Sequence, residues 1–289
     1  MGFKGNIVGL GKKGDTTVLI GRQSNLGLLV AASLSVGSLL QAETASAQPI
    51  PTYSTFGPSY SSIPTAALTA PWMEAWGGGG FTNNSYYGYY GFNRALNPTQ
   101  NLWIDGFVLR GEGSVGHYTY EATGALSNPE VDFHTGGLMI GYRKVVGQGL
   151  LTGYLGVNYE HHDNPDPTAS IRGTKAGVKV LAEYYTPLAN EIGYFYGQGW
   201  YSTAFDTWTV YGSLPFKIWN SVWLGPEAAV YGNHAPYQEA RVGGIIRFER
   251  PLGYVGTNFL VSGGYKHPLT ADSGPDGYYV NFHLNYEFR

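Results

Sequence analysis

Apolar and polar residues alternate without a break from Gly277 to Phe288. Tyr278, Val280, Phe282, Leu284, Tyr286 and Phe288 fall on one parity, and Tyr279, Asn281, His283, Asn285 and Glu287 on the other. Side chains alternate faces along an extended chain, so this predicts a strand with one greasy and one wet face. Its length suits a tilted strand crossing a bilayer, which takes roughly 9–11 residues. Similar segments recur from Trp72 onward, at about 72–81, 85–95, 104–120, 132–145, 150–161, 174–186, 192–202, 205–214, 222–232, 239–249, 256–267 and 277–288. The pattern predicts an all-β chain folded as an antiparallel transmembrane β-barrel of about twelve strands. Ten is the alternative count, because the glycine run at 77–80 blurs the first segment.

Parity also assigns sides. Single-chain bacterial barrels have an even number of strands, short periplasmic turns and longer outer loops. With the last strand running inward, 82–84, 121–131, 162–173, 203–204, 233–238 and 268–276 become outer loops. The inner turns become 96–103, 146–149, 187–191, 215–221 and 250–255.

Composition supports a membrane barrel over a soluble one. Gly at 43 and Tyr at 24 of 289 residues are high, and charged residues make up only 13 %. The second half has no apolar run of the roughly 18 residues a spanning helix needs. Net charge is −3, with no basic cluster to suggest nucleic acid. The absence of Cys excludes thiol catalysis, disulfides and Cys-based zinc sites.

Upstream, Lys4, Lys12, Lys13 and Arg22 precede an apolar stretch, Leu26 to Leu40, and an Ala45-Ser46-Ala47 cleavage site. This predicts a secretory signal peptide over 1–47. A Pro/Ser/Thr-rich flexible lead-in follows over 48–71, and the barrel occupies 72–289. The address and the barrel together predict the outer membrane of a Gram-negative bacterium, with its lipid as one partner.

Alternation places the charges inside, since Lys or Arg on the lipid face at mid-bilayer costs about 2–4 kcal/mol. Arg110, Glu112, Arg172, Lys175, Lys179, Glu183, Asp206, Glu227 and Arg241 are the candidate lumen or rim polar network. The expected neutralising pairs include Glu227 with Arg241, Glu183 with Lys179, and Asp206 with Arg172. Aromatics near strand ends, among them Trp72, Trp76, Trp103, Tyr118, Tyr120, Tyr184, Tyr185, Tyr201, Trp208, Trp219, Trp223 and Tyr254, read as interfacial girdles. A sugar-stacking track would instead need inward aromatics such as Trp223, Tyr231 or Tyr279.

No constellation points to catalysis, metal or cofactor binding. In His161-His162-Asp163 adjacent side chains point apart, so they do not converge as ligands. Ser170 with His161 or His162 lacks the nucleophile-elbow setting. The chain therefore reads as a non-enzyme.

Longer strings go beyond barrel grammar. They are Asn84-Ser85-Tyr86-Tyr87-Gly88-Tyr89-Tyr90-Gly91, Asn164-Pro165-Asp166-Pro167 with Arg172-Gly173, Tyr201-Ser202-Thr203-Ala204-Phe205-Asp206, Gly225-Pro226-Glu227-Ala228 with Gly232-Asn233, and Tyr237 with Arg241-Val242-Gly243. In this order and spacing they resemble the cellulose biosynthesis protein BcsS family, over roughly 75–289. The resemblance implies an outer-membrane barrel accessory to cellulose biosynthesis, export or surface organisation. It implies cellulose, a glucan or the secretion apparatus as partners and carries over no catalytic residue, and no cofactor is expected. A narrow porin-like channel for small solutes is the competing reading, and a lipid- or glycan-modifying enzyme a third.

Overall fold

The computed structural model describes residues 70–120, 128–233, 237–251, 256–270, 273 and 275–289. The expected signal peptide, the lead-in up to residue 69, loop residues 121–127 and Tyr254 lie outside the described residues. Thirteen strand segments form one antiparallel sheet: β1 Met73–Thr82, β2 Ser85–Ala95, β3 Gly106–Thr119, β4 Glu130–Val146, β5 Gly149–Asp163, β6 Gly173–Pro187, β7 Tyr194–Ser202, β8 Thr207–Ser213, β9 Phe216–Trp219, β10 Val222–Gly232, β11 Gln238–Glu249, β12 Thr257–Pro268 and β13 Gly277–Phe288. Each pairs with its chain neighbour, and β13 closes on β1 with Met73 opposite Phe288 and Thr82 opposite Tyr279. Both β8 and β9 pair with β10, so they are two halves of one barrel strand and the barrel has twelve positions. Closure of β13 on β1 joins the sheet into a ring, which is what lipid demands, and on the second side of β9 a single bridge from Gly193 to Phe216 makes the link.

The twelve-strand reading is borne out, and the bounds of β2, β10 and β13 match it residue for residue. One inner turn does not. The chain expected to turn over 215–221 continues as β9, and the reversal is confined to Asn220 and Ser221. Pro215 has no N–H to give the ladder. The strand therefore breaks at Leu214-Pro215, while Leu214 N bonds Pro226 O at 3.0 Å and pairing resumes beyond.

The two faces sort by parity. Phe107, Leu138, Ile140, Leu155, Val157, Val178, Val180, Val210, Val242, Val280 and Leu284 are exposed on the outside. Glu74, Arg110, Arg143, Lys179, Glu183, Arg247, Lys266, His283 and Asn285 are buried inside. An apolar belt around a closed polar interior is the build of a transmembrane barrel.

The glycine run has a steric cause. Tyr87 and Tyr89 on β2 lie across β1 to reach β13, where Tyr87 Oη donates to Asn281 Oδ1 at 2.8 Å and Tyr89 Oη meets His283 Nδ1 at 3.1 Å. A Cβ at Gly78 would stand 2.3 Å from Phe282 O, and one at Gly80 2.7 Å from Tyr87 Oη. The rings pass only because β1 has no side chains there.

Candidate functional site

The interior is the candidate site, and its centre is an ion-pair chain. Arg110 on β3 donates through Nε to Glu112 Oε2 at 2.8 Å and through Nη1 to Glu183 Oε1 on β6 at 2.7 Å. Lys179 on β6 bonds the other Glu112 oxygen. Two cations and two carboxylates thus alternate between strands that are not neighbours, closing this sector of the lumen. Aromatic faces complete the cage: Arg110 lies 4.7 Å from the Trp76 ring centre and Lys179 4.1 Å from that of Trp200. Tyr154 and Tyr196 hydroxyls both reach Glu183 at 3.4 Å. Beside the chain, a cavity of about 20 Å³ between Tyr89, Glu112, Gly137, Asn158 and Lys179 has room for roughly one water.

Glu227 and Arg241 belong to a second cluster, on the β10–β13 side. Glu227 accepts the Tyr211 and Tyr279 hydroxyls, each at 2.9 Å. Arg241 pairs with Glu239 at 2.5 Å and lies over Tyr231 and Tyr279. Lys266 meets the second Glu239 oxygen at 3.5 Å, and Tyr237 donates to it at 2.6 Å.

Four of the nine sequence-predicted residues, Arg110, Glu112, Lys179 and Glu183, therefore meet in one chain. The pairings differ from those expected: Glu183 takes Arg110 and Lys179 takes Glu112, while Arg241 takes Glu239. Arg110 with Glu183, and Lys179 with Glu112, meet through the lumen from strands three apart, and strand parity carries no information about such chords; Arg241 and Glu239 are instead same-face neighbours two residues apart on β11.

The remaining three lie at the barrel end opposite the termini. Lys175 sits with Nζ 4.5 Å from the Phe205 ring centre. Arg172 Nε donates to Asn164 O at 2.9 Å, tying the 164–172 loop to itself. Asp206 accepts the Tyr201 hydroxyl at 2.6 Å. Phe205 and Asp206 both have left-handed φ, 56° and 50°. They are the last two residues of the four-residue turn 203–206 that joins β7 to β8. Asp tolerates that conformation and Phe does not. Phe205 is held there by burial, with the His162 ring edge-on at 5.2 Å.

Sequence reasoning missed Glu74, Arg143, Glu239 and Lys266 as interior groups, while Arg247 lies inside as its parity predicts. Arg143 donates to Thr152 Oγ1 at 2.9 Å and Leu102 O at 2.5 Å, and Arg247 bonds Asn258 and Glu249. Their in-facing parity was the available signal. The girdle reading also needs correcting. Trp76, Trp103, Tyr118, Tyr120, Tyr185 and Trp223 are buried, while Tyr201 and Trp219 are exposed as expected. A twelve-strand interior is wide enough to require large rings as filler.

The serine–histidine candidates do not converge. His161 Nδ1 bonds Thr174 Oγ1 on the outside, His162 Nδ1 bonds Tyr118 Oη on the inside, and Ser170 Oγ is buried with no hydrogen-bond partner among the described residues. No group of three or more metal-ligating side chains occurs among the described residues.

A closed antiparallel barrel, apolar outside and ion-paired within, is a transmembrane β-barrel of the outer-membrane type. Residues 75–288 match the family model of the cellulose biosynthesis protein BcsS, and the chain belongs to that family. No curated protein matches it. Among solved structures it is similar to the KdgM porin, with TM-score 0.44, 6 % identity, and 75 % of this chain and 99 % of that chain covered. It is also similar to the β domain of the Bordetella autotransporter BrkA, with TM-score 0.42, 12 % identity and coverage of 76 % and 100 %. The Acinetobacter baumannii outer membrane protein Omp33 gives TM-score 0.38, 12 % identity and coverage of 75 % and 98 %.

Proposed function

We propose that this protein is a non-catalytic barrel of the Gram-negative outer membrane that assists cellulose export or its organisation at the cell surface. Its termini would face the periplasm, and the loop end carrying 164–172 and 203–206 would face the emerging glucan or the secretion apparatus. Family membership supports the process. The observation that carries the mode of action is the ion-paired lumen: Glu183, Arg110, Glu112 and Lys179 join across it. A conduit would need these pairs to part, and parting a buried pair is costly. The working surface is then the loop end.

Deleting the gene tests the process, with cellulose yield and fibre morphology as readouts. Loss of yield or altered fibres, restored by the wild-type chain, is expected; unchanged cellulose overturns the reading. Planar-bilayer recording tests the mode. A closed barrel gives no discrete conductance steps, and regular steps from the pure protein would favour a channel instead.

A further inference from the structure

His161 and His162 are neighbours in sequence and point to opposite sides of the wall, so they cannot share a ligand. The sheet register gives His161 another partner. His134 on β4 stands directly opposite it on β5, on the same outer face. The ring centres are 4.7 Å apart and the planes 32° from each other. Two imidazole nitrogens bound to one tetrahedral ion lie about 3.3 Å apart, given metal–nitrogen bonds of roughly 2.0–2.1 Å. Rings at this spacing reach that with a small turn.

The surroundings favour a cation. His161 Nδ1 meets Thr174 Oγ1 at 2.7 Å, one strand further on. With Nδ1 as donor, this bond fixes the ring and leaves the Nε2 lone pair outward, the orienting contact that metal-bound histidines usually have. Neither ring nitrogen of His134 makes a hydrogen bond among the described residues; its contacts are the rings of His161 and Tyr159. Toward the loop end, Asp132 and Asp163 are exposed and stand opposite each other, with Asp132 accepting from His117 at 2.9 Å. These carboxylates draw cations and repel anions. Toward the other end, Leu138 and Val157 begin the apolar belt, and Tyr159 flanks the pair at that boundary. The pair therefore sits at the water-facing edge of the belt, open to a solvated ion.

We infer that His134 and His161 form a cross-strand site for a divalent transition-metal cation on the outer wall of the barrel, with water filling the remaining positions. Imidazole suits zinc, copper and nickel over magnesium or calcium.

The test uses the full mature barrel in detergent micelles. Zinc is titrated by calorimetry at pH 7.5, and copper is added for electron paramagnetic resonance. Saturable 1:1 zinc binding and a copper signal split by two nitrogens are expected. H134Q and H161Q should each weaken zinc binding at least tenfold, with the barrel still folded by its heat-dependent gel shift. H267Q, on β12, leaves binding unchanged and serves as the control. Absence of saturable binding, binding that survives both histidine substitutions, or saturable binding of inorganic phosphate at the same pair would each overturn the inference.

Discussion

Two sectors of this barrel fill the same lumen by different chemistry. At mid-strand between β13, β1 and β2 the filling is neutral: Tyr87 and Tyr89 lie over the glycine run of β1 and end on Asn281 and His283. Around β3 to β6 it is ionic, with Arg110 and Lys179 locked between Glu112 and Glu183. The strands differ as well. Those of the ionic sector run 14 to 17 residues, while β1 and β2 have 10 and 11. A bilayer asks for roughly 9–11, so the ionic sector stands proud of it and carries the histidine pair on its outer face. The neutral sector depends on shape, because its rings need the missing Cβ atoms. The ionic sector depends on completeness, because each charge is tolerable only beside its counter-charge.

That difference sets the order of sensitivity to substitution. Arg110→Ala should be the most damaging, since it strands Glu183 and half of Glu112 in the interior. A loss of about 3–5 kcal/mol is expected, read as a lower urea midpoint in detergent micelles. Arg110→Met combined with Glu183→Gln removes charge of both signs and should recover much of that loss. If the single and double variants are equally unstable, the ionic sector owes its stability to packing rather than to charge.

Gly78→Ala tests the neutral sector. The new methyl would meet the Phe282 carbonyl at 2.3 Å, and that backbone belongs to the closing ladder. Overpacking of this kind costs typically about 1–3 kcal/mol. Tyr89→Phe, which removes the bond to His283 without changing shape, should cost less, about 1 kcal/mol. A reversed order would mean that hydrogen bonding, and not the fit of ring on glycine, closes the barrel seam.

The strands were legible because their period of two is imposed by lipid on one side and packing on the other. Val280, Phe282 and Leu284 set against Asn281, His283 and Asn285 need no further information. The break at Pro215 was read as a turn because proline ends a ladder locally, and only the pairing of Phe216 with Leu224 shows the strand resuming. The candidate site was legible one residue at a time but not as pairs. Inward parity found Arg110, Glu112, Lys179 and Glu183, yet their partnership spans the lumen between β3 and β6. The same limit hid His134 behind His161, since a one-residue slip in register would have put them on opposite faces. Trp76 and Trp223 were read as girdle because sequence shows an aromatic near a strand end and not the volume it must fill.

The smallest effect belongs to the loop end, where the proposed partner surface lies and neither sector's filling reaches. Asp166 accepts the Thr168 backbone N–H at 2.9 Å and its hydroxyl at 2.7 Å, and these bonds hold its carboxyl below the usual carboxylate range. A depressed value means the folded loop favours the ionised form. The stabilisation is therefore complete above the unfolded value, about 3.9, and is lost as pH falls through the lowered folded value. Hydrogen exchange of residues 164–172 should thus be flat from pH 7 to about 5, once corrected for intrinsic rates, and should accelerate below about pH 4. Asp166→Asn keeps an acceptor for Thr168 but cannot titrate, so its corrected profile should stay flat throughout. The urea midpoint of the whole barrel should not move, because the two filled sectors and not this loop hold the wall together. If the Asn variant still loosens in acid, the trigger lies among the other carboxylates of that rim, and the loop is coupled to the barrel more tightly than its own hydrogen bonds imply.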